Sequence, residues 1–520
     1  MDVNFHRIFR ILCEKRTLSS GYPDYILRVF LHAFTFIDAG PAEVQNYFHM
    51  EQISLSGIMH SDEPLSFARS VQVVVSLSIP TILAMISEIV MQYIDSAMVG
   101  SLGASASASI GLVSSTTWLI GNLIMACAYG FSVQIAQATG ADNISRAGRI
   151  FRQSILVCLL FSLILCLIGT SISPYLPVWL GGNPDIVKNA SAYFLIYALF
   201  LPVRQLYTLF LSSLQCTGNM RTPSILGVIC CASDVLFNMI FIFPSRLITV
   251  FGMTLPVYGA GLGVKGAALG TACSYVFTGA LLAYAVCVKS KILTLKNKGS
   301  WKIEAPIMKS ALKISVPMAL EHSALTIAQI VITTIVAPLG TTALAANSFA
   351  VTAEAFCYLP GFGIGAAATT LVGQAVGARR RDLAKRFAWI STGLGVVFMS
   401  TAGLIMYFLC PYVFAFLTPV KEVQELGIRI LRIELFAEPL FAASIVVTGA
   451  LRGAGDTLVP GILNLISMWG VRILTASILV RTMGLPGVWT AMFMELNVRG
   501  ILMLIRLARG KWLDKAIRPS

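Results

Sequence analysis

Charged residues are scarce in this chain of 520 residues: Asp, Glu, Lys and Arg make up 12% of it, and hydrophobic residues make up 56%. Soluble domains typically carry about 25% charged residues, so the composition excludes an ordinary soluble domain. Long apolar runs recur from about residue 70 to 508, each close to the ~20 residues that a helix needs to cross a bilayer. They lack the alternation of barrel strands. We therefore predict transmembrane helices.

The sequence also lacks the motifs of energy-coupled and hydrolytic enzymes. It contains no GxxxxGK[ST] phosphate loop, no GxSxG motif and no HExxH zinc motif. The eleven cysteines lie mostly in apolar runs without metal-ligand spacing, so we interpret them as small buried hydrophobic residues. The chain is predicted not to be an enzyme and to need no cofactor. Its energy source is predicted to be an ion gradient.

The fold is predicted to be an all-α integral membrane protein with twelve transmembrane helices. Their predicted bounds are 70–97, 108–137, 153–176, 190–215, 223–244, 262–288, 309–337, 344–372, 387–409, 427–451, 459–481 and 486–507. The net charge of +14 comes from Lys and Arg that cluster in alternate loops, as cytoplasmic loops do. This pattern places both termini in the cytoplasm and argues against nucleic acid as a partner.

The chain divides into segments of different composition. Residues 1–66 carry mixed charge and only one short apolar run, YILRVFLHAF, which is too short to span. We predict a soluble or interfacial extension there, with Met50 or Met59 as alternative start sites. The other predicted segments are an N-lobe with helices 1–6 (67–290), a basic cytoplasmic linker (291–308), a C-lobe with helices 7–12 (309–508) and a cytoplasmic tail (509–520).

An internal repeat relates the two lobes. SLQCTGNMRTP at 213–223 matches ALRGAGDTLVP at 450–460, and AQATGA at 136–141 matches GQAVGA at 373–378, both at an offset of 237 residues. Six helices per repeat give both halves the same orientation, so they are parallel repeats. Two such halves favour a transporter with alternating access. A channel or receptor, the alternative from another class, would not need two half-transporters with buried carboxylates.

Ionisable residues within the predicted spans are costly in lipid and are therefore candidates for function. Asp234 and Asn238 are four residues apart and share a helix face, and Asp95 lies toward the outer end of helix one. These three could hold one Na⁺ through hard oxygens or share one proton. An exposed helix end is the structural alternative for Asp95.

The second half offers further acidic candidates. Glu321 and Glu354 could face the central cavity, where carboxylates beside aromatic side chains suit an organic cation; a structural hydrogen bond is the alternative for each. Asp456 falls near a turn, where it could cap the next helix.

Two pairs of charged residues and the prolines within the spans have structural interpretations. Glu495 and Arg499 are four residues apart and are predicted to pair with each other. Glu434 and Glu438 lie with Arg432 in the outer part of helix ten, where snorkelling is the structural alternative to a functional role. Prolines within the predicted spans are predicted to kink them; they are Pro80, Pro202, Pro317 and Pro439.

Three segments and the repeat together resemble the multidrug and toxic compound extrusion (MATE) family over about residues 70–508. The segments are YIDSAMVGSLG (93–103), VGQAVGA (372–378) and GALRGAGDT (449–457). The resemblance implies two six-helix lobes around a central cavity in the cell (inner or plasma) membrane. It also implies a monomeric antiporter that exports cationic, amphipathic compounds in exchange for Na⁺ or H⁺.

The resemblance also implies roles for particular residues. Family members with an acidic first lobe use an Asp on helix one, an Asn and an Asp four apart on helix five, and a Thr on helix six. Asp95, Asp234, Asn238 and Thr271 match these places, with the order of the helix-five pair reversed. The implied cation or proton site is therefore in the N-lobe, with Na⁺ at Asp95, Asp234 and Asn238 as one alternative.

Another branch of the family uses a helix-seven Glu and a helix-ten Asp in the second lobe. Asp456 matches the latter in motif, whereas the former falls on Leu325, one turn after Glu321. The resemblance thus points to Asp456 and Glu321, and with Glu354 they form the predicted C-lobe site for a cation or substrate. The alternative function is a lipid-linked oligosaccharide flippase of the wider superfamily, which would need a strongly basic cavity for pyrophosphate.

Overall fold

The structure is a computed structural model that describes residues 55–61, 65–250, 253–296 and 299–515. Among these residues, ten helices are long and apolar enough to cross a membrane. The number is eleven if Pro184–Leu199 and Leu201–Cys216, which meet at 50°, form one bent span. The prediction of a helical membrane protein is confirmed, and the count of twelve spans stays a prediction.

The first half contains nine helices among the described residues, and the last of them continues as a π-helix over Ala285–Lys289. Their bounds are α1 (Leu55–His60), α2 (Phe67–Gly100), α3 (Ala104–Gly140), α4 (Ile144–Ile172), α5 (Leu176–Trp179), α6 (Pro184–Leu199), α7 (Leu201–Cys216), α8 (Arg221–Ile242) and α9 (Val264–Tyr284). The chain bends between α6 and α7 because Pro202 has no N–H to continue the helix. The predicted kink at this proline is confirmed.

The second half follows the same plan, with one broken span. Its helices are α10 (Ala305–Val336), α11 (Thr341–Gly377), α12 (Arg381–Leu417), α13 (Lys421–Glu434), α14 (Glu438–Gly453), α15 (Leu458–Leu465), α16 (Leu474–Met483) and α17 (Leu485–Ala508). A π-helix, Ile466–Ile473, joins α15 to α16. A 3₁₀ turn, Leu435–Ala437, separates α13 from α14 just before Pro439, so the tenth predicted span is two short helices.

An antiparallel hairpin joins α8 to α9 and corrects the all-α prediction. Strand β1 (Pro244–Val250) pairs with β2 (Met253–Ala260). The stretch LITV in β1 is rich in β-branched residues, which favour extended backbone. The repeat offset falls from 237 to 221 residues across this segment, so the hairpin is an insertion of the first half.

Helices of the two halves pack against each other in a repeat-related way, α2 on α11 and α3 on α10. Thr81 Oγ1 donates to the Gly363 carbonyl at 2.9 Å. Tyr93 OH donates to the Thr352 carbonyl at 2.9 Å, and its ring stacks on Phe356 with centroids 5.3 Å apart. The two halves are therefore in direct contact along α2 and α11.

The short helix α1 packs at the end of the bundle where α17 finishes. Leu55, Ile58 and Met59 are buried in a cluster that includes Met220 before α8 and Trp512 after α17. The helix therefore contacts both halves of the chain. Residues 1–54 of the predicted extension lie outside the described residues, so its soluble or interfacial character stays a prediction.

Candidate functional site

Asn238 lies between two carboxylates in the first half. Its side-chain nitrogen donates to Asp95 Oδ1 at 2.9 Å and to Asp234 Oδ2 at 3.0 Å. Asp234 and Asn238 stand one turn apart on α8, and Asp95 reaches them from α2. The two carboxylates also contact each other directly. One amide group thus uses both of its N–H bonds to hold two acidic side chains together.

Helix α9 closes the other side of this site. Ser274 Oγ lies 3.3 Å from Asp234 Oδ1, and Thr271 contacts the same carboxylate. A Cβ at Gly270 would overlap Asn238 Oδ1, so glycine at this position leaves room for the amide. Asn238 Oδ1 is buried and has no hydrogen-bond partner within the described part of the chain.

The carboxylates of this site differ in exposure. Asp234 and Asn238 are each 1% exposed, whereas Asp95 is half-buried. The oxygens in reach are carboxylate, amide and hydroxyl oxygens, which are hard ligands suited to Na⁺ or to a proton. The structure therefore brings Asp95, Asp234, Asn238 and Thr271 together, and their role in ion binding stays a prediction.

Gly270→Ala is expected to disturb this site without removing any polar group. The added methyl would push against Asn238 Oδ1, and the amide would lose its alignment with both carboxylates. We expect about a tenfold loss of transport. Gly279→Ala on the same helix is the matched control, because its Cβ would meet its first neighbour only at 4.0 Å. Equal transport by the two variants would contradict the tight fit at Gly270.

A second charged cluster lies two turns away along α2. Glu88 is exposed and is attracted to Arg204 of α7. Arg204 Nη1 donates to Tyr197 OH at 2.8 Å, and the guanidinium lies over the rings of Tyr197 and Tyr275, 5.3 Å and 5.8 Å from their centroids. Arg204 is thus fixed by aromatic side chains and offsets the charge of Glu88.

In the second half, Glu321 is in a buried ion pair. Arg452 of α14 lies 3.3 Å from both of its carboxylate oxygens, and Asn464 of α15 donates to Oε1 at 2.6 Å. Glu321 is 2% exposed. It therefore ties α10 to α14 and α15.

Asp456 is in a different ion pair. Arg506 of α17 donates to Asp456 Oδ2 from Nε at 3.0 Å and from Nη2 at 2.6 Å. Its repeat partner Asn219 instead accepts from the Thr222 N–H at 3.1 Å, as a helix cap does. The capping alternative for Asp456 is wrong, because its carboxylate is used by α17.

Glu354 faces two further carboxylates, for which snorkelling was the structural alternative. Glu434 and Glu438 are each 0% exposed and lie close to Glu354. None of the four carboxylate oxygens of Glu434 and Glu438 has a hydrogen-bond partner among the described residues. The snorkelling interpretation is wrong because both residues lie on the inner face of the broken α13–α14 span.

Two arginines stand beside this acidic cluster. Arg499 Nε lies 2.8 Å from Glu495 Oε1, which confirms the predicted pair. Arg472 donates to Met492 Sδ at 2.9 Å and faces both Glu354 and Glu434. Both guanidinium groups are also attracted to Glu354, so among the described residues the acidic cluster shares its nearby cations with Glu495.

The predicted second-half site is therefore not one site. Glu321, Glu354 and Asp456 each have a different set of partners. The sequence reasoning missed Ser274 and the burial of Glu434 and Glu438. The spacing of the last two, four residues apart beside Pro439, is the signal that could have placed them on one inner face.

A model of the MatE family matches the chain twice, at residues 80–240 and 317–478. The chain belongs to the MATE family. Its two matches begin 237 residues apart, which is the offset of the internal repeat. The resemblance is confirmed, and the chain is a multi-pass membrane transporter rather than an enzyme, as predicted.

The match between this MATE chain and its curated relatives extends over most of each relative's length. The probable multidrug resistance protein NorM of Thermotoga maritima is 25% identical over 455 residues, which are 85% of this chain and 93% of that protein. NorM of Idiomarina loihiensis is 24% identical over 443 residues, 83% of this chain and 92% of that protein.

Solved structures share the fold. A crystal structure of MATE in the straight conformation has a TM-score of 0.78 at 21% identity, with 88% of this chain and 99% of that chain covered. A MOP superfamily transporter from Pyrococcus furiosus has a TM-score of 0.79 at 20% identity, with 89% and 99% covered.

Proposed function

We propose that this MATE protein is a secondary active antiporter. It exports cationic, amphipathic drugs or metabolites across the cell membrane in exchange for Na⁺ or H⁺. Twelve helices form two parallel six-helix lobes, both termini are cytoplasmic, and a monomer alternates access between the two sides. The multidrug resistance named for the NorM relatives supports the substrate class, and the repeat supports alternating access.

The contact of Asp95 with Asp234 around Asn238 is the observation that carries this proposal. Two ionised carboxylates in contact repel each other strongly inside a protein. A bound cation or a shared proton removes that repulsion, so the site favours being occupied. Such a site releases its ion when a competing cation binds or when the site opens to the other side of the membrane, because either change makes ion binding less favourable.

An aromatic pair supports an organic cation as the exported substrate. Phe356 is 39% exposed and stacks on Tyr93 of the other half. Aromatic faces attract cations. This pair therefore offers a cationic substrate an aromatic face at the contact between the two halves.

The buried acids of the second half are a second candidate for coupling. Glu434 and Glu438 carry carboxylate oxygens without partners in the described residues, and a carboxylate buried in this way needs a proton or a cation. Glu354 lies close to both residues, so we assign it to the same candidate coupling site. No observation favours the flippase alternative, because the buried polar groups include the acidic clusters around Asp95 and Glu434.

Transport in everted vesicles under an imposed gradient tests the proposal. A fluorescent organic cation is followed with either a Na⁺ or a pH gradient. We expect one of the two gradients to drive accumulation and the other to have little effect. Vesicles without the protein are the control. Flux that ignores both gradients would overturn antiport, and absence of any cation flux would overturn the substrate class.

A further inference from the structure

Two glutamines related by the repeat join the halves of the chain. Gln137 on α3 donates from Nε2 to the Gly453 carbonyl at 3.0 Å. Gln374 on α11 donates from Nε2 to the Cys216 carbonyl at 2.9 Å. The offset of 237 residues relates both the donors and the acceptors. Each bond therefore runs from one half to the other, and the pair is symmetric.

The acceptors are well suited to this contact. Cys216 is the last residue of α7, and Gly453 is the last residue of α14. The final carbonyls of a helix lack partners within the helix, so they are free to accept from another element. Gln137 is 7% exposed and Gln374 is 2% exposed, so bulk water does not compete for these bonds.

The backbones around the glutamines approach closely at the same end of the bundle. A Cβ at Gly140 would overlap the backbone of Gln374, and a Cβ at Gly377 would overlap the backbone of Gln137. These glycines are again one repeat apart, and each ends its helix. Among the described residues, the backbones of the two halves are therefore in direct contact here. We call this end, where α3, α7, α11 and α14 finish, the closed end.

The axis of the repeat passes through this contact. A Cβ at Gly373 would lie 2.9 Å from Ala136 Cβ, and these two residues are repeat partners at the offset of 237. Equivalent residues that touch lie on the axis that relates them. Opening the closed end therefore separates both glutamine bonds at once.

We propose that Gln137 and Gln374 form a clasp that sets the free energy of the state closed at this end. They are positioning residues of the transport cycle and contact neither substrate nor ion. This inference rests on the alternating access proposed above. Neutral hydrogen bonds suit the task because they hold the halves in register yet are weak enough to break in every cycle.

Gln137→Met and Gln374→Met test the clasp, since Met keeps the length of the side chain without its donor. Each single variant is expected to shift the closed-to-open ratio about fivefold toward open, and the symmetry predicts equal shifts. Gln205→Met is the matched control, because buried Gln205 donates to the Ile124 carbonyl within one half. It is expected to leave the ratio unchanged.

Spin labels on exposed Ser145 and Lys385, one in each half, report the separation by pulsed electron resonance. Labels on unnatural amino acids avoid the eleven native cysteines. Transport kinetics are measured beside the distances. Both kcat and the apparent KM are expected to change in the single variants, because a shifted closed-to-open ratio alters the fraction of protein that can bind substrate.

The outcomes separate the clasp from the proposed function. Wild-type distances in both single variants would overturn the clasp, as would an equal shift in Gln205→Met. If distances shift as expected while wild type moves no cation under any gradient, the proposed function fails and the clasp stands.

Discussion

Asp234→Asn is expected to abolish gradient-driven transport, with a loss of more than about tenfold. The amide can still accept from Asn238, whose side-chain nitrogen lies 3.0 Å from Asp234 Oδ2, so the local packing is kept. The amide is uncharged and does not ionise at physiological pH, so the site no longer binds the coupling ion. Initial rates in everted vesicles under the driving gradient measure the effect.

Thermal stability separates this loss from unfolding. Removing one of two carboxylates in contact relieves repulsion, so the variant is expected to be at least as stable as wild type. Asp185→Asn makes the same chemical change at an exposed residue and is expected to transport normally. If Asp234→Asn keeps normal coupled transport, the first half does not carry the ion, and Glu434 and Glu438 become the sites to substitute.

Much of the first-half site could be predicted from the sequence. The four-residue spacing of Asp234 and Asn238 fixes them on one face of α8, because helical geometry alone brings such residues together. The pairing of Glu495 with Arg499 follows from the same rule. Both were local relationships within one helix, and the structure confirms both contacts.

Contacts between distant segments could not be predicted in this way. Asp456 pairs with Arg506, 50 residues away, and no spacing rule reaches that far. The position of a residue along a span gives its depth in the membrane, but it does not say whether the side chain faces lipid or the protein interior. For this reason the sequence did not reveal that Glu434 and Glu438 are buried. The break at Leu435–Ala437 turns them inward, away from the membrane surface to which a snorkelling side chain would extend.

Arg452→Leu is expected to destabilise the protein strongly, by roughly 3 to 5 kcal/mol. Arg452 is the cation at 3.3 Å from both oxygens of Glu321. Without it, a carboxylate that is 2% exposed keeps only the Asn464 hydrogen bond among the described residues, and one amide does not offset a buried charge. Thermal unfolding in detergent, followed by intrinsic fluorescence, measures the change. Arg149→Leu, in an exposed pair with Glu304, is expected to have a much smaller effect.

The double variant Glu321→Leu/Arg452→Leu decides between a structural and a binding role for Glu321. An apolar pair leaves no buried charge, so most of the stability lost in Arg452→Leu is expected to return. If transport returns with it, Glu321 serves to hold α10 against α14 and α15. If stability returns and transport does not, Glu321 carries the cation-binding role that the sequence predicted, and Arg452 is its counter-ion between transport events. Wild-type stability in Arg452→Leu alone would show that the ion pair does not form.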